Sequence, residues 1–182
     1  MRRLLIASAL CVLFSLPSFA QANERRRFDI NWNILSYLRQ GSADFAGGSL
    51  EFAYHATDHW AIVADAGVHS SILFGSDEVT TYRFGPRYSS KHGNRITTFA
   101  EAMAGGARLT NKTTLFTFGP STTSTTTSVN GFSFGAGGGF DVGIRPWIAF
   151  RAVQAQYSFI HFSGAGSSGV RIGTGLVFRF GK

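Results

Sequence analysis

Apolar and polar residues alternate along most of the chain from residue 27 onward, in eight blocks separated by turn-forming residues. A period of two marks a strand with unlike faces. The blocks predict strands at 27–39, 48–56, 60–69, 78–88, 95–109, 131–142, 147–161 and 169–181. In the first, Phe28, Ile30, Trp32 and Ile34 share a face opposite Asp29, Asn31 and Asn33. In the last, Val170, Ile172, Thr174, Leu176, Phe178 and Phe180 oppose Arg171, Gly173, Gly175, Val177 and Arg179. The seventh breaks parity: Ile148, Phe150 and Ala152 are apolar at one end, Tyr157 and Phe159 at the other. One extra residue within Val153–Gln156, a β-bulge, restores a single apolar face and leaves Arg151, Gln156 and Ser158 on the polar one.

The connections after strands 2, 4 and 6 are short: Thr57–His59, Ser89–Asn94 and Gly143–Pro146. Those after strands 1, 3, 5 and 7 read as longer: Gln40–Gly47, Ser70–Asp77, Thr110–Asn130 and Phe162–Ser168. Short turns alternating with longer surface loops predict an all-β fold, an eight-stranded antiparallel up-and-down barrel that crosses a membrane. Ten residues at ~3.3 Å each, tilted ~45°, span roughly 23 Å, close to the ~25 Å apolar band of such barrels. A soluble barrel of the ligand-carrier type would show the same alternation turned inside out. Three features favour the membrane form. Small or polar residues fill one face, as in Gly131, Ser133, Gly135, Gly137 and Gly139. Trp60, Phe140, Trp147 and Phe180 fall where the membrane borders are expected. The chain also closes on a strand with an aromatic near its end.

Met1–Ala20 has the form of a cleaved secretory signal peptide: Arg2 and Arg3, the apolar run Leu4–Leu16, then Ser18 and Ala20 at cleavage-site positions. The expected barrel domain is therefore 21–182. An apolar, aromatic-rich composition (44% and 14%) excludes a disordered chain. The single Cys of the sequence, Cys11, falls within the signal, which leaves no disulfide framework and no four-Cys zinc site.

The runs Phe84-Gly85-Pro86-Arg87-Tyr88, Phe99–Gly106, Gly137–Val142 and Gly173–Gly181 resemble the bacterial outer-membrane beta-barrel domain family. That family is similar to the small eight-stranded barrels typified by outer-membrane protein A. The resemblance implies a place in the bacterial outer membrane, both termini in the periplasm and contact with membrane lipid and lipopolysaccharide. It also implies delivery by the barrel-assembly machinery, which would read the C-terminal strand. A monomer is expected. So is a chain without cofactor or nucleic-acid partner, whatever its pI of 10.2.

Candidate chemistry is sparse. His161 and Ser163 share a strand face and resemble the His-x-Ser of lipid A deacylases, themselves eight-stranded barrels. The acid that would orient the histidine is missing, since 164–182 holds no Asp or Glu. The five histidines lack ligand-like spacing, so no metal site is expected. Gly135–Gly139 lies inside strand alternation, whereas a phosphate loop must open a helix. Arg25-Arg26-Arg27 reads as a solvated flank of the first strand. Thr110–Asn130 reads as the longest surface loop, with 12 of its 21 residues Ser or Thr. It is the candidate for binding a surface ligand, and its alternating Leu115–Phe118 allows a projecting hairpin whose strand edge could take a partner.

Parity places a charge network on the inward face: Asp29, Glu51, Asp65, Glu101 and Asp141 against Arg83, Arg87, Arg151, Arg171 and Arg179. Five against five predicts a neutral, plugged lumen in place of a channel, because eight strands leave an interior that side chains can fill. The expected pairs are Arg83 with Asp65 and Glu101, and Asp29 with Arg179. The sequence thus predicts a non-enzymatic barrel presenting surface loops for envelope structure or adhesion. A lipid-modifying enzyme and a small-solute pore are the alternatives.

Overall fold

The computed structural model describes residues 28–72, 77–93, 95–116, 122–162 and 164–181. The signal reading of Met1–Ala20, the flank Arg25–Arg27 and Ser163 fall outside these residues. Eight strands form among the described residues: β1 (Phe28–Gln40), β2 (Ala43–His55), β3 (Trp60–Ser71), β4 (Asp77–His92), β5 (Ile96–Phe116), β6 (Thr122–Arg145), β7 (Ile148–Phe162) and β8 (Ala165–Phe180). Each pairs antiparallel with its sequence neighbours, and β8 returns to β1 through Phe28↔Phe180 and Asp29↔Arg179, closing the barrel.

Alternation decides which face turns inward. Trp32, Ile62, Leu35 and Phe84 are 54–68% exposed on the outer wall, while Asn31, Glu51 and Arg151 inside are at most 1% exposed. A soluble carrier would have these faces reversed. An apolar exterior around a polar interior is the membrane form, since hydrocarbon solvates the outer wall and closure leaves no unpaired edge in the lipid. At the end carrying the termini, Phe28 packs on Tyr54 (ring centroids 5.1 Å apart) and Trp60 on Tyr88 (5.2 Å). Phe180 pairs opposite Phe28, and Trp147 occupies the β6–β7 turn. These residues build an aromatic border. Phe140 also faces outward, opposite Thr98 and Val153.

Bulges in β7 and β1 set the inward face, and a third register shift falls at Ile144, beside the β6–β7 turn. In β7, Ala152 and Val153 together oppose Thr174, so the parity switch lies at the edge of the expected window Val153–Gln156. Arg151, Gln154, Gln156 and Ser158 then all point inward. A second bulge, unforeseen in the sequence, occurs in β1, where Ile34 and Leu35 oppose Gly48. It exposes both apolar side chains and turns Ser36 and Leu38 inward.

Three of the expected long connections are mostly strand. β1 and β2 pair as far as Gln40↔Ala43 through a two-residue turn with Gly41 at φ 61°, so Gln40–Gly47 is not a loop. β7 and β8 pair as far as Phe162↔Ala165, which shortens Phe162–Ser168 likewise. Thr110–Asn130 is a hairpin, with β5 and β6 paired continuously to Phe116↔Thr122. The reason is common to all three: outside the membrane a strand can be polar on both faces, and the ladder holds it without a hydrophobic period. Twenty-one residues in β5 rise roughly 49 Å at the usual tilt, nearly twice the apolar band.

Candidate functional site

The inward residues stack in layers between two unlike ends. Towards the termini, Arg151 occupies the centre: its Nε donates to Asp141 Oδ1 at 2.8 Å and its Nη1 to Glu51 Oε1 at 2.9 Å. Glu51 also receives Arg87 Nη2 at 2.6 Å. Arg87 Nε donates to Glu101 Oε2 at 2.8 Å, and its Nη2 joins the same oxygen. One layer up, Arg171 holds Asp65 by a two-pronged bond, 2.8 and 2.9 Å, while Arg83 Nη2 reaches Asp65 Oδ1 at 3.1 Å. Charges removed from water this fully persist only when paired and hydrogen-bonded.

Uncharged side chains complete the network. Gln154 donates to Glu101 Oε1 (2.6 Å) and Glu51 Oε2 (3.2 Å), and accepts from Asn33 Nδ2 (2.9 Å). Gln156 donates to Glu101 and accepts from Arg83 Nη2 at 3.3 Å. Phe99 lies between two guanidinium groups, with Arg87 Cζ 4.4 Å and Arg151 Cζ 4.2 Å from its ring centre. Such stacking favours cations that have lost their water. Gly139 and Gly135 allow this close packing: a Cβ at Gly139 would collide first with the Val153 carbonyl and then with the Phe99 ring, and one at Gly135 with the Arg83 guanidinium.

Two expected pairings differ. Arg83 does not meet Glu101: in register it opposes Asp65 and Gly105, while Glu101 opposes Arg87. Asp29 opposes Arg179 in register, yet its carboxylate meets His55 Nε2 at 2.8 Å, and Arg179 turns to Asp141 at 3.9 Å. Register fixes which Cα atoms face each other, whereas inward side chains lean along the tilted strands and choose partners diagonally. Of the ten charged residues, eight are buried, while Asp29 and Arg179 sit half-buried at the mouth.

Above the charges the lumen turns apolar. Leu38, Phe45, Val79, Ala107 and Ile160 are all buried in one cluster, with Leu109 and Phe162 packed against it. Val79 and Ile160 were readable by parity, but Leu38 was hidden by the β1 bulge and Phe45 by the expected loop. Beneath this cap, Ser36 Oγ and His69 Nε2 are 2.8 Å apart, a buried contact whose other ring nitrogen lacks a partner. The opposite mouth, lined by Asp29, His55, Asp58, Lys91 and Arg179, encloses about 50 Å³, room for a few waters.

Beyond the cap, among the described residues, the β5–β6 hairpin has no other strand beside it. β4 stops pairing with β5 at Asp77↔Asn111, and β7 stops pairing with β6 at Gly131↔Phe162. Residues 122–130 of β6 therefore present an open strand edge containing no Pro and no charged residue. His161, on the outer wall, stacks on Phe159 with ring centroids 6.5 Å apart. Among the described residues no group of three or more His, Cys, Asp or Glu is placed to hold a metal ion.

No family model matches the chain, and no curated protein matches it. Solved structures do. The attachment invasion locus protein Ail of Yersinia pestis, in complex with the heparin analogue sucrose octasulfate, superposes with a TM-score of 0.57 at 14% identity over 87% of this chain and 100% of that one. Neisserial surface protein A gives 0.67 at 10% identity, over 87% and 100%. The outer membrane protein OprG of Pseudomonas aeruginosa gives 0.55 at 9% identity, over 88% and 99%. At these identities the likeness is one of fold: the chain has the fold of the eight-stranded outer-membrane barrels.

Proposed function

We propose that this chain is a non-enzymatic protein of the bacterial outer membrane whose closed lumen anchors the β5–β6 hairpin as a surface recognition element. The observation that carries the reading is the hairpin's edge at 122–130, unpaired among the described residues, standing above an apolar cap and a charge layer in which every buried carboxylate meets an arginine. Exposed edges are normally blunted by charge, proline or a bulge. This one has no such charge or proline, and an extended segment of a partner could add to it by backbone hydrogen bonds. The co-structure of Ail with a heparin analogue supports surface recognition as a use of the fold.

Catalysis has little to work with. The Ser36–His69 contact is closed off from any substrate by the cap, and its histidine has no orienting acid. The barrel acts as a monomer, since closure satisfies every strand within the membrane. Its N-terminal 20 residues serve as the export signal and its last strand as the handle for barrel assembly. The test is surface binding: cells displaying the wild-type chain should retain a partner that cells displaying a chain with Asn111–Asn130 replaced by a short turn do not. Equal retention by both, with both barrels folded, would refute recognition through the hairpin.

A further inference from the structure

We propose that the periplasmic rim carries a binding arc for anionic phospholipid headgroups, built on Arg95 and Arg145. The proposal rests on the membrane-spanning reading above, with the turn-bearing end in the periplasm, but not on the hairpin's role.

Among the described residues, basic charge is in surplus at one end of the barrel only. The lumen balances, with Glu51, Asp65, Glu101 and Asp141 against Arg83, Arg87, Arg151 and Arg171. The hairpin end carries Arg39, Arg108 and Lys112 against Asp44, Asp77 and Glu78 and so balances. The turn end carries Lys91, Arg95, Arg145 and Arg179 against Asp29 and Asp58. Asp29 is engaged by His55, and no described acid pairs with Lys91, Arg95 or Arg145. The basic surplus thus gathers at one rim, on its β4-to-β8 side, while Asp58 lies in the β2–β3 turn.

The local build sets these charges at headgroup level. Gly143 N donates to Arg95 O at 2.6 Å, seating the β4–β5 turn against the end of β6, where Arg145 begins the next turn. Arg95 is followed by Ile96, and Arg145 is flanked by Ile144 and Trp147, all three well exposed on the outer wall. Apolar side chains that enter the hydrocarbon beside arginines that reach out of it form a membrane-border arrangement. The turns are too short to reach a distant partner, so the ligand must come to the rim. Arginine forks match phosphate oxygens, and a negatively charged leaflet draws such a cluster in a salt-dependent way. The hairpin end offers no comparable surplus.

The test uses the full barrel with Trp147 as its lone tryptophan (Trp32→Phe, Trp60→Phe), reconstituted in phosphatidylcholine vesicles. Brominated phosphatidylglycerol and brominated phosphatidylcholine are compared as quenchers at equal mole fraction. Brominated phosphatidylglycerol should quench Trp147 about twofold more strongly at low salt, the preference fading as salt rises. Arg95→Gln with Arg145→Gln should abolish the preference, whereas Arg39→Gln with Arg108→Gln should leave it intact. Heat-modifiable gel migration shows that each variant is folded, and lipid retention by native mass spectrometry gives a second reading of the same preference. Equal quenching by the two lipids, or a preference surviving loss of both rim arginines, would overturn the proposal. So would equal quenching accompanied by capture of soluble polyglutamate, which would place an acidic polymer at the rim.

Discussion

Arg87 and Glu101 oppose each other directly across β4 and β5, and the Arg87 guanidinium closes on Glu101 Oε2 from both Nε and Nη2. The same guanidinium also holds Glu51. Arg87→Met should therefore leave two buried carboxylates short of charge and cost about 3–5 kcal/mol. Arg83→Met should cost less, because Asp65 keeps its two-pronged bond to Arg171. Urea unfolding in vesicles, followed by tryptophan fluorescence, ranks the two. A larger loss for Arg83→Met would mean that the pairing assigned here is wrong.

The dependence should be mutual. Adding Glu101→Gln to Arg87→Met should recover part of the lost stability, since the orphaned charge is then removed while Gln154 and Gln156 remain as neighbours. Strict additivity of the two substitutions would contradict a direct coupling.

Gly135→Ala tests how tightly the lumen is filled. The new methyl must displace the Arg83 guanidinium, which is buried and bonded to Asp65 and Gln156. Overpacking of this kind costs about 1–3 kcal/mol. Gly135→Ala in an Arg83→Met background should cost clearly less, because the colliding group is gone. An unchanged cost would show that the clash lies elsewhere.

The hairpin makes a prediction in hydrogen exchange. Along 122–130 of β6, amides directed at β5 should be protected and those directed at the open edge should exchange freely, alternating residue by residue. Uniformly fast exchange would restore the loop reading of Thr110–Asn130. Uniform protection would mean that the edge is already occupied.

Strand count, barrel closure and the polarity of each face were legible because the membrane imposes a strict period of two on every residue that crosses it. Parity alone assigned Glu51, Asp65, Arg87 and Arg151 to one interior. It could not assign partners. Which carboxylate Arg83 meets depends on strand register and on the lean of side chains, quantities carried by pairs of strands and not by either strand alone. Leu38 shows a second limit, since the bulge at Ile34 and Leu35 reverses parity without any turn residue to announce it. Beyond the membrane the constraint vanishes, and the outer halves of β5 and β6 read as loop because nothing there needs an apolar face.

A lumen closed by its own side chains, with an apolar seal of Leu38, Phe45, Val79 and Ile160 above the charge network, should pass no ions. Single-channel recording of the purified barrel in a planar lipid bilayer addresses this most directly. The wild-type chain should give no steady conductance, and neither should the chain lacking the hairpin. A stable open level in the wild-type recording would contradict a closed lumen.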